Sequence, residues 1–388
     1  MDKTYMDFHH QNPIMGDPLH VIYFLGCTIY HSRLVKIVLW ILVFVYIAFS
    51  AAQICYMVSA PETIDIANYG ALLLQMLWVI MSTFPILTKN YLIEDTMSVI
   101  ELWAVDSADE ETKTRILKES KFLNAFACFN STMGLIWATA MIYPNQRDIE
   151  HSFPAFLFNK WSPQYDYFLG YAFNLTSFVT SFTMVALGYQ FIYGTQHLKF
   201  QMYILNKFIE GICHDFVPSD DGDLFDKAHQ MEIKFRLKVL VKKHQDIIRC
   251  KTRGLANMKG RIVPLSFGGL LIGLSLFLDL LQITEKNSPP ILLLRAGSFS
   301  IIAASTFCSV IIAGQTFESE SENIYNALIS TNWYQWTEDN RKTLTIMLCN
   351  SISPISMKFT DSFVVNFELG MGICKAVYSA ASVFYNMK

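Results

Sequence analysis

Apolar residues along this chain are gathered into long blocks separated by short polar segments. Seven blocks match the roughly 20 residues that a helix needs to cross the hydrocarbon layer of a bilayer: 34–58, 64–88, 119–143, 165–193, 262–282, 291–313 and 362–385. The pattern predicts an all-α, seven-transmembrane helical protein. The last block is the weakest because it contains Glu368 and Lys375, which are costly against lipid and must face protein or water.

After the fourth block the period changes. Ile233, Leu237, Leu240, His244 and Ile247 recur at helical spacing with Lys and Arg between them, predicting an amphipathic helix that runs into the fifth block. Before it, Pro218-Ser219-Asp220-Asp221-Gly222-Asp223 has the turn residues of a loop. A second amphipathic helix is expected from about Thr316, with Ile324, Leu328, Ile329, Trp333 and Trp336 on one face. Its acids Glu318, Glu320 and Glu322 would sit at its start, where the helix dipole favours them, and Pro354 would end the pattern. These apolar faces either pack on one another within one subunit or form a platform for subunit assembly.

Charge gives the blocks a direction. Of 30 basic residues, 13 fall between His197 and Arg261, whereas segments 59–63, 144–164 and 283–290 hold only Arg147, Lys160 and Lys286. An excess of Lys and Arg marks the cytoplasmic side, so 197–261 is expected inside. Counting crossings puts the N-terminus inside and Lys388 outside, the inverse of G-protein-coupled receptors; the Asp-Arg-Tyr and Asn-Pro-x-x-Tyr motifs of that class are also absent. No cleavable signal peptide is read in the first thirty residues. The expected organisation is a cytoplasmic segment 1–33, spans one to four in 34–196, a cytoplasmic loop and helix in 197–261, spans five and six in 262–313, cytoplasmic helices in 314–357 and a last span in 358–388.

Composition narrows the function classes. Only 16% of the 388 residues are charged, against about 25% in soluble domains. The net charge of −3 offers no basic stripe for nucleic acid. Neither HExxH nor GxSxG nor a Gly-rich phosphate loop is present, so an enzyme is not expected. The eight cysteines form no CxxC pair, and no metal, cofactor or disulfide is expected. Sequons at Asn130 and Asn174 fall inside blocks three and four and are expected to be unused.

A set of ordered residues resembles the insect odorant receptor family. It comprises Gly314-Gln315-Thr316-Phe317-Glu318-Ser319-Glu320-Ser321, Tyr325, Ala327, Trp333, Arg341-Lys342, Met347, Pro354, Phe367 and Tyr378-Ser379, with Phe24-Leu25-Gly26 before the first span. The resemblance implies a heterotetrameric, odorant-gated cation channel in the plasma membrane of olfactory sensory neurons. In it a tuning subunit binds a small volatile odorant and assembles with the odorant receptor co-receptor through a cytoplasmic anchor from spans four to seven. The co-receptor carries a much longer second cytoplasmic loop, so this chain looks like a tuning subunit. The related gustatory receptors are the near alternative, although an intact form of their Thr-Tyr and Gln-Phe pair is missing here.

On the last block Lys375, Tyr378, Ser379, Ser382, Tyr385 and Asn386 share a polar stripe. Such a stripe either lines a water-filled pore or makes an interhelical contact. The resemblance implies the pore, with Tyr385 at the gate ring, where the family usually has an aliphatic residue, and Ser382 and Tyr378 below. The outer halves of the other spans supply a candidate ligand set: Tyr69 and Leu73; Ser131, Gly134, Trp137, Ala138 and Met141; Tyr171, Asn174 and Phe178; Phe277 and Leu281; Ser298 and Ile302. Together they would enclose a mostly apolar cavity with a few orienting polar groups; each alone reads equally as helix packing. Asp279 and Arg295, at the outer ends of spans five and six, would either pair with each other or each reach the interface.

Overall fold

The computed structural model describes residues 17–59, 66–88, 105–143, 148–213, 227–283, 289–360 and 363–386; the acidic break at 218–223 lies outside them. In chain order the helices are α1 (His20–Gly26), α2 (Arg33–Ser59), α3 (Ile66–Thr88), α4 (Glu110–Ile142), α5 (Asp148–His151), α6 (Phe153–Trp161), α7 (Asp166–Glu210), α8 (Lys227–Ile283), α9 (Pro290–Ile329), α10 (Glu338–Ser351) and α11 (Phe367–Asn386). A hairpin of β1 (Lys358–Thr360) and β2 (Phe363–Val364) precedes α11, pairing antiparallel with Lys358 opposite Val364. The seven apolar blocks lie in α2, α3, α4, α7, α8, α9 and α11. Five of these helices are long and apolar enough to cross a membrane, while α8 has a shorter apolar stretch, Phe267–Leu280.

Helix α7 is the axis of the bundle. Between Thr183 and Leu205 every residue except Gly194 and His197 is buried. A helix that is apolar or hydrogen-bonded on all sides belongs in the middle of its neighbours, and α3, α4, α8 and α9 pack around it. Its 45 residues extend about 68 Å, roughly twice the hydrocarbon thickness. The end where α7 finishes and α8 begins, called the base below, therefore carries charges. Lys199 is buried there with Nζ 2.6 Å from Glu119 Oε2, and the Tyr203 hydroxyl donates to the same carboxylate at 2.9 Å. Pairing is what makes such burial tolerable.

The N-terminal segment docks on α7. Gly26 sits where a Cβ would lie 3.1 Å from Tyr189 Cβ, and its carbonyl accepts from Gln190 Nε2 at 2.8 Å. Asp17 accepts from the Tyr193 hydroxyl at 2.8 Å and the Leu19 N–H at 2.8 Å, and lies 3.1 Å from His197 Nε2. Burial raises the Asp17 carboxyl, but the hydrogen bond and charge of His197, with the Leu19 and Tyr193 donors, outweigh it and hold it below the ordinary range.

At the base, the predicted face Ile233, Leu237, Leu240, His244 and Ile247 is buried in full. Burial holds the His244 imidazole below its usual range, which favours its neutral form. The second amphipathic helix differs from expectation. Helix α9 runs unbroken from Pro290 to Ile329, so Glu318, Glu320 and Glu322 lie within it and gain nothing from a helix start. Glu320 is accommodated instead by Arg115 of α4 at 2.9 Å. Ile324, Leu328 and Trp336 are buried, but Ile329 and Trp333 remain 47% and 43% exposed. The helix stops at Ser330 and Trp333–Gln335 form a short 3-10 turn, which rotates Trp333 off the shared face.

Two ties close the base. Gln230 of α8 donates to the Gln335 carbonyl and accepts from the Thr337 N–H, both at 2.9 Å, at the start of α10. Ser321 accepts from the Ile355 N–H at 2.7 Å. The final span starts later than the apolar block: Phe363 and Val364 belong to the hairpin, and Asn366 Oδ1 caps α11 by accepting from the Leu369 N–H at 3.1 Å. Gly314 explains itself here, because a Cβ on it would collide with the Val365 carbonyl and lie 2.8 Å from Val365 Cγ1.

At the opposite end, called the loop end, Arg295 and Asp279 do not pair with each other. Arg295 caps α4: Nε donates to the Ala140 carbonyl at 2.9 Å and Nη2 to the Tyr143 carbonyl at 2.5 Å. Its guanidinium also grips Asp148 through both nitrogens, at 2.5 and 3.2 Å. A fork of donors suits two carbonyls and a carboxylate at once, and a 147-residue separation hid this partner. Asp279 accepts from Gln75 Nε2 at 3.0 Å.

Gly314→Ala should lower the unfolding midpoint of the detergent-purified protein by the equivalent of about 1–3 kcal/mol, whereas Gly297→Ala, with nothing within 4 Å of its Cβ, should not lower it. In double-mutant cycles of thermal stability, Arg295→Met should couple to Asp148→Asn by more than about 1 kcal/mol and to Asp279→Asn by less than about 0.5 kcal/mol.

Candidate ligand site

Two cavities lie in the helix bundle, divided by a stacked aromatic pair. Trp137 of α4 and Phe299 of α9 have ring centroids 5.7 Å apart at 29°, and both rings line both cavities.

The larger cavity has a volume of about 710 Å³ and is walled by α3, α4, α7, α8, α9 and α11. Aromatic and aliphatic side chains dominate it, including Trp78, Phe277, Ile302 and Phe307. Among the described residues its oxygen-bearing side chains are Ser181, Thr306, Tyr378 and Ser382, and none that lines it is charged. Such a space suits a neutral organic molecule held by dispersion and desolvation. Small residues make the room: Gly188, Gly269, Gly273, Ala303 and Ala304 line the wall. Gly273 also brings α8 against α11, since a Cβ there would lie 2.6 Å from Val377 Cγ2.

Polar side chains brace that wall. Asn130 Nδ2 donates to Thr306 Oγ1 at 2.8 Å and Asn130 Oδ1 accepts from Ser305 at 2.9 Å, tying α4 to α9. The same Asn130 reaches the Tyr189 hydroxyl of α7 at 3.3 Å. Its burial and bonding give the first sequon asparagine a structural role.

The smaller cavity, about 120 Å³, lies toward the loop end. Asp279, Asp148, Arg295, Gln75 and Asn174 line it together with Phe158 and Phe173. Gln75 Nε2 also donates to Ser275 at 3.0 Å, and Ser275 in turn donates to the Ala71 carbonyl at 3.1 Å.

Of the ligand set drawn from the sequence, Trp137, Phe277 and Ile302 line the large cavity, while Trp137, Met141 and Asn174 line the small one. Tyr69 instead packs edge-on to Phe153 and tilted against Phe156 of α6. Gly134 is a close packing point, its missing Cβ 3.4 Å from Ser181. Ala138 is fully buried and Ser298 turns its hydroxyl to the Leu294 carbonyl at 2.6 Å. Leu73, Ser131 and Phe178 are half-buried outside both linings, and Tyr171 is 49% exposed on the outer surface of α7. The side chain of Leu281 lies outside the described residues.

On α11, Leu369, Ile373, Val377 and Ala381 turn toward the large cavity. Tyr378 and Ser382 sit at its edge, with Tyr378 76% exposed, and Lys375 and Ser379 are exposed. The side chains of Tyr385 and Asn386 lie outside the described residues. Sequence reasoning missed Trp78, Phe299 and Phe307 because any aromatic in an apolar block reads as packing. One signal was available for Phe299: it lies three residues before Ile302, on the same helical face.

No curated protein matches the chain in a sequence comparison. Among solved structures, the insect olfactory receptor OR5 from Machilis hrabei in complex with eugenol aligns over 96% of this chain and 97% of its own, with a TM-score of 0.69 at 11% identity. The same receptor described without eugenol aligns over the same shares with a TM-score of 0.60 at 11% identity. At that identity the likeness is one of fold, which supports the seven-span, all-α architecture. The sequence model of the 7tm odorant receptor family matches residues 71–378, most of the chain. This multi-pass membrane protein therefore belongs to the 7tm odorant receptor family and is a receptor, not an enzyme.

Proposed function

We propose that the chain is the ligand-tuning subunit of an odorant-gated, non-selective cation channel. It assembles as a heterotetramer with the odorant receptor co-receptor in the plasma membrane of olfactory sensory neurons, N-terminus inside and C-terminus outside. The observation that carries this reading is that the large cavity is shared. Trp137, Phe299 and Ile302 form one wall, while Leu369, Ile373 and Val377 of α11 form another. A small volatile odorant bound there touches the last span directly, so its binding energy acts on the helix whose polar stripe, Tyr378, Ser379, Ser382, Tyr385 and Asn386, lines the pore in this reading. The eugenol complex of the Machilis hrabei receptor is a precedent for a small aromatic ligand in this fold.

Affinity needs no charged anchor. A micromolar ligand requires about −8 kcal/mol, within reach of roughly ten heavy atoms. The exposed Ile329, Trp333, Tyr334 and Ile346 at the base supply an apolar surface for neighbouring subunits.

Currents from cells expressing the chain with the co-receptor, tested against a chemically diverse volatile panel, should appear only when both are present. Silence of the pair across the panel would overturn the reading. Trp137→Ala should shift odorant sensitivity more than tenfold while surface assembly is retained. Ser382→Ala or Tyr385→Ala should change ion selectivity or basal current. A C-terminal epitope tag should stain intact cells; staining only after permeabilisation would favour the opposite topology.

A further inference from the structure

The small cavity has a different chemistry from the large one. Among the described residues its charged side chains are Asp279, Asp148 and Arg295. Arg295 and Asp148 neutralise each other in the bidentate pair described above, and the same guanidinium is further held by the α4 carbonyls. That leaves Asp279. Its carboxylate accepts one neutral hydrogen bond, from Gln75 at 3.0 Å, and no described cation lies within ion-pair distance. An ionised acid in an apolar bundle without a counter-ion is expensive, so this group is either neutralised by a proton or matched by a cation entering the cavity. The remaining walls combine four aromatic rings, Trp137, Phe158, Phe173 and Phe299, with aliphatic side chains such as Leu72, Met141 and Leu292. A carboxylate and aromatic rings lining one chamber together offer an organic ammonium a counter-ion and π-systems to pack on.

We propose that this chamber is a subsite for a small protonated alkylamine, with Asp279 as its counter-ion and the aromatic rings around its head. The inference rests on the reading of the bundle as a ligand-binding receptor and names a ligand class for it. At about 120 Å³ the chamber holds the equivalent of about four waters, which matches an ammonium with a few carbons. A longer alkyl part must pass the Trp137–Phe299 stack into the uncharged cavity beyond. Gln75 is a positioning residue: bonded to both Asp279 and Ser275, it fixes the carboxylate against the chamber wall.

The test compares butylamine with butan-1-ol, which match in chain length and differ in head group. Isothermal titration of the purified full chain in lipid nanodiscs should give at least tenfold tighter binding of the amine. Asp279→Asn should reduce the amine-to-alcohol affinity ratio at least tenfold, and Asp279→Glu should restore most of it. Equal affinity for the two compounds in the natural chain, or a ratio unchanged by Asp279→Asn, would overturn the subsite. The comparison of the two ligands on the natural chain stands even if a variant fails to fold. Amine binding without current in cells that also express the co-receptor would support the subsite and count against the channel reading. Currents to other odorants with no amine preference would do the reverse.

Discussion

Helix α7 must be satisfied on every side, and the rest of the bundle is arranged to do so. In a bilayer the backbone can bond only to itself within a helix, so what remains to be settled is which side-chain faces meet. From Thr183 to Leu205 nearly every face of α7 is covered, which obliges α3, α4, α8 and α9 to surround it. The helix also runs past the hydrocarbon into the base. Polar side chains there are held by partners from other elements: buried Lys199 by Glu119, and His197 by Asp17. Docking of the N-terminal segment through Gly26 and Asp17 thus depends on the same helix that forms one wall of the large cavity.

Cavities persist in this bundle because small residues stand where large ones would close the gap. Gly188, Gly269 and Gly273 line the space, with Gly188 packed against Thr306 and Gly273 against Val377, and the Trp137–Phe299 stack splits it into an uncharged chamber and a charged one. The partition separates two kinds of recognition, dispersion on one side and a countercharge on the other. Helix α11 joins the first chamber through Leu369, Ile373, Val377 and Ala381, with Tyr378 and Ser382 at its edge, while Lys375 and Ser379 are exposed. A ligand in that chamber and a partner subunit on the outer face would therefore press on the same helix from opposite sides.

Several elements were legible before the structure for identifiable reasons. An apolar run of about 20 residues has one solution in lipid, so the seven blocks reappear within helices, although α4 starts earlier, at Glu110, and α7 and α9 run on past their blocks to Glu210 and Ile329. The face Ile233 to Ile247 was legible because its period is that of a helix. The continuity of α9 was not: Glu318, Glu320 and Glu322 imitate a helix start, and what allows Glu320 in mid-helix is Arg115, 205 residues away. The late start of α11 was equally hidden, because residues of an apolar block pair as a hairpin and Asn366 supplies the cap.

By itself the sequence determined span number, the amphipathic base helix and the residue types available for a pocket, since these depend on local composition and period. Only the tertiary structure decided which of those residues share a cavity. Tyr171 and Asn174 are three residues apart on α7, yet one faces outward and the other lines the small chamber. Arg295 and Asp279, adjacent in the linear reading of spans five and six, take Asp148 and Gln75 as partners. The physical reason is that hydrophobicity acts on each residue where it stands, whereas pairing, capping and the shape of a void depend on side chains that meet only after distant helices pack.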